Sequence, residues 1–143
     1  MDKYGPFQNE FRFVFFALPE KYEATFAFYR DALGLPHTGG FGEDPAGMRG
    51  VFLQAAAATI EIICDPTDSF LRRQIMQPDQ VYQPAQGGHL LIEVEDVDSR
   101  FAQALAAGVP VIQPLTNWPW NFRDFKVADP CGNIVCLFSR IKS

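Results

Sequence analysis

The sequence predicts an α+β fold: two tandem βαβββ modules forming a curved mixed sheet around a cleft, with the helices on the convex face. Three observations predict it. The stretch Phe11 to Leu35 reads as a strand, a helix and a Gly stop, and Gly88 to Val109 reads the same way, with Phe26 and Phe101 in register (101 − 26 = 75). The strands that close the two halves keep that offset, so that Thr59-Ile60-Glu61-Ile62-Ile63 lies over Ile134-Val135-Cys136-Leu137-Phe138. At 143 residues the chain has the size of one domain, in which two half-modules share one core. The expected layout is a single domain over 1–143, with module one at about 9–65, a linker at about 66–87 and module two at about 88–141. Two such half-sheets side by side enclose a cleft lined by residues in symmetric pairs.

Each element has its own signal. Phe13-Val14-Phe15-Phe16-Ala17-Leu18 is a dense apolar run that ends at Pro19-Glu20 and reads as the first strand. Tyr22, Phe26, Tyr29 and Leu33 then recur at steps of four, three and four, the stripe of a helix buried on one side, and Gly34 stops it. Gly39 to Gly50, rich in Gly, Pro and charge, suits a hairpin and loop between the second and third strands. No helix pattern follows Gly39-Gly40-Phe41-Gly42, so this is an ordinary turn and not a phosphate cradle. Pro66 to Gly88, rich in Gln, Pro and Gly, is a linker with a helical turn or two around Phe70 to Met76. In module two, Asp96 is the expected N-cap of a helix carrying Val97, Phe101, Ala104 and Leu105 on one face, with Asp98 in its first turn and Gly108 at its stop. Asp129-Pro130-Cys131-Gly132 has Pro second and Gly fourth, the pattern of a type I turn joining the last two strands.

Composition narrows the function classes. With 48% hydrophobic residues and 14 Phe there is ample material for a core, which excludes a disordered chain. A formal net charge of −5 with scattered basic residues excludes the footprint of a nucleic-acid binder and suits a cationic ligand better. The run at Phe13–Leu18 is far shorter than a membrane span of about 20 residues and lacks the basic start and cleavage site of a secretory signal. Cys64, Cys131 and Cys136 are odd in number and without CxxC spacing, as in a reduced, cytoplasmic protein. No GxSxG elbow surrounds any Ser, and the cysteines have no sequence-readable His partner beyond His89.

The run Phe26-Ala27-Phe28-Tyr29-Arg30-Asp31-Ala32-Leu33-Gly34-Leu35 resembles the helix signature of the vicinal oxygen chelate superfamily, which includes glyoxalase I, extradiol dioxygenases and bleomycin-resistance proteins. His89 to Asp98, Ala107 to Val111 and Asp129 to Ile134 resemble that superfamily's second half in order and spacing, so the resemblance spans Phe11 to Ser139. In metal-dependent members the ligands come from the first and last strand of each module, which the resemblance carries onto Val14, Glu61, His89 and Cys136. The repeat gives the same set, since 14 + 75 = 89 and 61 + 75 = 136. Val14 has no donor atom, and Cys136 brings a soft thiolate where a carboxylate is usual. Glu61 and His89 alone are too few for Mg²⁺ or Mn²⁺, whereas zinc accepts Glu61, His89 and Cys136 with a water.

Each residue also has a plainer reading. Glu61 alternates with Ile60 and Ile62, which points it into the cleft, where His89 is placed to hydrogen-bond it without metal. Cys136 is a small buried hydrophobe, and His37 belongs to the surface or a turn. Glu61 and His89 also remain a metal-free base and acid. Thr116 to Phe125 holds both tryptophans and resembles the aromatic segment at the cleft edge of bleomycin-resistance proteins; the alternative is that Trp118, Trp120 and Phe122 close a sheet edge or a subunit interface. The resulting expectation is a cytoplasmic, homodimeric protein that binds a planar or cationic organic molecule without metal or other cofactor, as in antibiotic sequestration, with Val14, Glu61, His89, Trp118, Trp120, Phe122 and Cys136 in its cleft. The alternative is a lyase, isomerase or dioxygenase using one divalent metal on Glu61 and His89, with or without Cys136.

Overall fold

The structure, a computed structural model, describes residues 10–66 and 89–142. Beyond Pro66, the expected linker with its helical turn around Phe70 to Met76, and Gly88, lie outside the described residues. Module one runs β1 (Arg12–Ala17), α1 (Pro19–Ala27), a one-turn π-helix (Phe28–Ala32), β2 (His37–Phe41), β3 (Arg49–Ala55) and β4 (Ala58–Cys64). Module two runs β5 (His89–Glu93), α2 (Val97–Ala106), β6 (Val111–Asn117), β7 (Phe122–Ala128) and β8 (Ile134–Arg140). Each module makes a four-stranded sheet, ordered β1-β4-β3-β2 and β5-β8-β7-β6. The first strand of each runs parallel to the last and the other pairs are antiparallel, so both sheets are mixed, as the repeat requires.

Strand alternation sorts the two faces. Ile60 and Ile62 of β4, Leu53 of β3, Phe125 and Val127 of β7, and Val135 and Leu137 of β8 are buried together with Tyr29, Leu33, Val97 and Ala104 from the helices. One core therefore runs through both modules on the helical side, and the residues between these positions, Glu61, Phe52, Asp124, Lys126, Cys136 and Phe138, occupy the opposite face.

Among the described residues no helix is long and apolar enough to cross a membrane. Pro19 opens α1, where its missing N–H costs nothing. The sequence pattern treated Tyr22 to Leu33 as one regular helix, but after Ala27 the Leu33 N–H reaches back five residues to the Phe28 carbonyl at 3.0 Å. The wider turn buries Phe28, Tyr29, Ala32 and Leu33, and leaves Phe26 half-buried with its ring 4.9 Å from that of His37. α2 has the Asp96 cap that was expected, its Oδ1 accepting the Ser99 N–H at 3.2 Å. Gly34 and Gly108 follow the helices with φ of +70° and +72°, the left-handed conformation that makes glycine a stop.

The modules are fastened at the π-turn. Tyr29 donates its hydroxyl to Asp129 Oδ2 at 2.6 Å, Arg100 Nη1 donates to the Leu33 carbonyl at 2.5 Å and Gln103 Nε2 to the Asp31 carbonyl at 2.9 Å. Asp129 opens the expected turn: its carbonyl accepts the Gly132 N–H at 3.0 Å, and its Oδ1 takes the Cys131 and Asn133 N–H groups.

The pairing corrects the repeat at its first strand. Glu61 faces Val14 across β1 and β4, while Cys136 faces Leu91 across β5 and β8, so Val14 corresponds to Leu91 (91 − 14 = 77) and not to His89. His89 faces Ile134, the rung that Arg12 shares with Thr59 in module one. Between the first strand and the Gly stop, module one carries the longer helical segment, Pro19–Ala32 against Val97–Ala106. The extra residues shift every position before the helix out of the 75-residue offset.

Candidate functional site

On the face opposite the core, module two carries a buried carboxylate set in aromatic rings. Period-2 alternation places Phe122, Asp124 and Lys126 of β7 on this face beside Cys136, Phe138 and Arg140 of β8, with Asp124 opposite Phe138 and Lys126 opposite Cys136. Asp124 is 4% exposed. Its Oδ1 accepts Gln113 Nε2 at 2.6 Å and Trp118 Nε1 at 2.8 Å, while its Oδ2 meets the Cys136 thiol at 3.4 Å and Lys126 Nζ at 3.6 Å. Burial pushes this carboxyl up, but the three donors and the lysine charge outweigh it and hold the group below the usual carboxylate range. The same two residues act on Cys136 in reverse: burial and the neighbouring Asp124 charge push the thiol up to about 12.

The aromatic wall is built on the tight β6–β7 hairpin. Trp118 N–H donates to the Phe122 carbonyl at 2.8 Å, and Asn121 takes the left-handed conformation (φ 66°) that lets the chain turn in so few residues. This sets the Trp118 and Trp120 rings parallel, centroids 4.8 Å apart at 9°. Trp120, 58% exposed, forms the outer leaf. Phe122 stacks on Phe138 at 4.4 Å and 18°. Cations of the chain already lie on these rings. Lys126 Nζ sits 5.4 Å from the Trp118 centroid and donates to Gln113 Oε1 at 2.7 Å, and Arg140, paired with Glu93 at 2.5 Å, lies 5.3 Å from the Phe122 centroid.

Module one places its own charge pair on the corresponding face. Glu61 points away from the Ile60 and Ile62 core side, as alternation requires, and Arg12 Nη1 donates to its Oε1 at 2.7 Å. Arg12 also pairs with Glu10 at 2.5 Å and lies 4.8 Å from the Phe52 centroid. The partner anticipated for Glu61 was His89; the structure gives the carboxylate to Arg12, because Arg12 and not Val14 occupies the rung equivalent to His89. His89 is exposed beside an apolar hollow of about 240 Å³ lined by Phe11, Phe13, Ile60 and Leu91. Val14 is exposed on β1, one strand from Glu61. His37 begins β2, exposed, with Nε2 at 2.9 Å from the Gly39 carbonyl oxygen.

A divalent metal, which the resemblance brings with it, does not fit these side chains. Val14 and Leu91 face the two closing-strand positions with no donor atom, Glu61 is engaged by a guanidinium, and the Cys136 thiol is already bonded to Asp124. Among the described residues no three His, Cys, Asp or Glu side chains gather in a metal-sized cluster.

Of the expected site residues, Trp118, Trp120, Phe122 and Cys136 come together on module two, and Glu61 and Val14 are neighbours on module one. Sequence reasoning missed Asp124, Lys126, Gln113, Phe138 and Arg140. The available signal was the alternation Phe122-Asp124-Lys126 against Phe125 and Val127, an acid and a base in step with an aromatic on one strand face.

The family model described as Glyoxalase/Bleomycin resistance protein/Dioxygenase superfamily matches residues 15–137. No curated protein matches the chain. Among solved structures, lactoylglutathione lyase from Agrobacterium tumefaciens is similar at TM-score 0.63 and 24% identity, over 94% of this chain and 96% of its own. A glyoxalase/bleomycin resistance protein/dioxygenase family enzyme from Burkholderia phytofirmans PsJN is similar at TM-score 0.65 and 18% identity, over 91% and 97%. TioX from Micromonospora sp. ML1 is similar at TM-score 0.61 and 17% identity, over 91% and 98%. At these identities the neighbours speak for the fold, which agrees with the paired sheets, while the family match covers both modules from β1 to β8. The chain belongs to the glyoxalase/bleomycin resistance protein/dioxygenase superfamily.

Proposed function

We propose that this chain is a binding protein that takes a planar organic molecule against the Trp118, Trp120, Phe122 and Phe138 wall without a metal, and that sequestration of a toxic compound such as an antibiotic is its use. The observation that carries the reading is the parallel Trp118–Trp120 pair, whose inner ring is fixed by buried Asp124 and whose outer ring is open to solvent. A flat face held at fixed orientation loses little entropy on stacking, and each such contact contributes about 0.5–1.5 kcal/mol beyond area burial. The donor set at Val14, Glu61, Leu91 and Cys136 supports binding over metal chemistry. A cytoplasmic setting accords with three free cysteines. A homodimer accords with first strands β1 and β5 lying at sheet edges with Val14 and Leu91 exposed.

Both tryptophans of the chain lie in this wall, so intrinsic fluorescence reports the site directly. Titration with neutral and cationic planar aromatics is expected to give saturable quenching that Trp120→Ala removes while the circular dichroism spectrum stays unchanged. Quenching that is linear and identical in the variant would sink the reading. The enzyme alternative is tested in parallel: zinc, manganese, iron or nickel bound stoichiometrically by the wild type and lost in His89→Ala would move the chain to metal-dependent lyase, isomerase or dioxygenase chemistry. Light scattering at several concentrations reads the dimer.

A further inference from the structure

The outer edge strands of the two sheets are guarded against further pairing. β6 carries Pro114 and two register shifts against β7, and β2 has a shift between His37 and Gly39. The inner edges have neither device: β1 and β5 run in unbroken register beside β4 and β8 and pair with no other strand among the described residues. The Val94 N–H bonds the Phe138 carbonyl, so Ile92 and Leu90, in step with Val94, turn their peptide groups to β8, while those of His89 and Leu91 turn outward.

The hollow of about 240 Å³ lies between these inner edges, with Phe11 and Phe13 on the β1 side and His89, Leu90, Leu91 and Ile92 on the β5 side. Ile60, which also lines it, and Leu90 belong to the helical side of the sheets, so the hollow is set apart from the polar face of Glu61, Cys136 and the tryptophans. His89 is the one ionisable residue on its wall, and among the described residues its imidazole has no hydrogen-bond or ion-pair partner. The volume lies between the cavity of about 150 Å³ that takes benzene and the roughly 300 Å³ at which drug-sized pockets begin, which limits an occupant to one ring. No carboxylate, lysine or arginine lines the hollow, so a charged group entering it loses hydration with nothing to offset the loss. A hydroxyl can both donate to and accept from the imidazole or the outward Leu91 peptide.

We infer that this hollow is a second ligand site, separate from the aromatic wall, which takes a compact neutral alcohol of about one ring through His89 and the open edge of β5. The apolar body rests among Phe11, Phe13, Ile60 and Ile92, and the hydroxyl meets the imidazole at the mouth. The inference does not depend on the aromatic-wall reading, since none of the wall residues lines the hollow.

The test is NMR titration of the full chain with cyclohexanol, cyclohexylammonium and cyclohexanecarboxylate, one ring with three head groups. Wild type is expected to bind cyclohexanol saturably and at least about fivefold tighter than either charged ring. The chain has two histidines, so His37→Gln assigns their ring protons, and those of His89 alone are expected to shift with cyclohexanol. His89→Ala is expected to weaken cyclohexanol about three- to tenfold, the loss of one hydrogen bond. Ala58→Leu, which enlarges a residue on the wall, is expected to abolish binding; if that variant does not fold by circular dichroism, Leu91→Ala at an exposed position carries the test by a severalfold loss. Tryptophan fluorescence is expected to stay constant through the cyclohexanol titration. Equal affinity for the three rings, His89 protons that do not move, binding that survives in folded Ala58→Leu, or saturable tryptophan quenching by cyclohexanol overturns the inference, and the quenching titration with planar aromatics still decides the wall reading by itself. No cyclohexanol binding by a wild type that scatters light as a dimer overturns it as well and gives the hollow to the contact between copies.

Discussion

Replacing Asp124 with Asn tests the electrostatic account of the site through stability alone. The amide keeps Oδ1 toward Gln113 and Trp118 but puts an NH₂ where Oδ2 met the Cys136 thiol and the Lys126 ammonium. Hydrogen bonds to a charged acceptor contribute about 1.5–3 kcal/mol against about 0.5–1.5 for neutral ones, so each of the two donors on Oδ1 loses about 1 kcal/mol. The lysine is left facing a donor instead of an anion. Against this, a neutral amide costs less to bury than a carboxylate. The expected net loss near neutral pH is about 1–2 kcal/mol. The pH dependence has a fixed sign. A carboxyl held below its usual range when folded stabilises the native state fully above its unfolded value of about 3.9, and that contribution is lost as pH falls through the lower folded value. Asn does not titrate, so the gap between variant and wild type is expected to close toward acid. Urea unfolding followed by tryptophan fluorescence and circular dichroism, from neutral pH down to about pH 3, measures both quantities. A variant as stable as wild type at neutral pH, or a gap that stays constant as pH falls, would refute the account.

Three further outcomes follow from the packing. Tyr29→Phe removes the buried hydroxyl that joins the π-turn to Asp129, and urea unfolding is expected to show a loss of about 1.5–2.5 kcal/mol; a loss under about 0.5 would mean that the Asn133 amide alone satisfies Asp129 Oδ2. Gly108→Ala meets no atom within 4 Å and bears only the cost of positive φ, about 1 kcal/mol, whereas at Gly42 a methyl also runs into the Met48 carbonyl, so Gly42→Ala is expected to lose at least about 1 kcal/mol more; equal thermal shifts would contradict this. Cys64 and Cys136 are buried with thiols pushed up, by desolvation in both and by the Asp124 charge as well at Cys136, so Ellman's reagent at mildly alkaline pH is expected to react with them only after unfolding; prompt labelling of all three cysteines in the native protein would contradict their placement.

The fold was legible because its signals are local and repeated. Alternation around Glu61, the helix stripe ending at Gly34, the Asp96 cap and the Asp129 to Gly132 turn each depend on a few neighbouring residues, and the strand–helix–Gly order appears in both modules. The π-turn was not legible, since Tyr22, Phe26, Tyr29 and Leu33 satisfy a regular helical spacing as well as they do an interrupted one. A second irregularity, on the other side of Phe26, carried the error into the site: Val14 to Phe26 is twelve residues and Leu91 to Phe101 only ten, so the 75-residue offset fails before the helix, and Val14 was matched to His89 where the sheet matches it to Leu91. The Trp118 to Phe122 segment was found because both tryptophans stand in it, but composition gives no direction, and the Asp124 bond that orients Trp118 comes from a neighbouring strand.

The pairing also explains why symmetry could not lead to Asp124. On the rung that holds Glu61, β3 contributes Phe52, and on the rung that holds Cys136, β7 contributes Lys126. Both modules put a carboxylate, a cation and an aromatic ring on this face at this height, but they draw them from different strands. Module one takes its acid from β4, its cation from β1 and its ring from β3, as Glu61, Arg12 and Phe52. Module two takes both acid and cation from β7 and its ring from the β6–β7 hairpin, as Asp124, Lys126 and Trp118. A search for ligating residues confined to the first and last strand of each module inspects Glu61 and Cys136 and passes over β7 altogether. The two faces differ in consequence as well as in origin. Arg12 meets Glu61 at 2.7 Å and also pairs with Glu10, whereas Lys126 stands 3.6 Å from an oxygen that also takes the Cys136 thiol. The repeat thus preserves the scaffold and the height of the polar layer, while the strands that supply its charges differ between the modules.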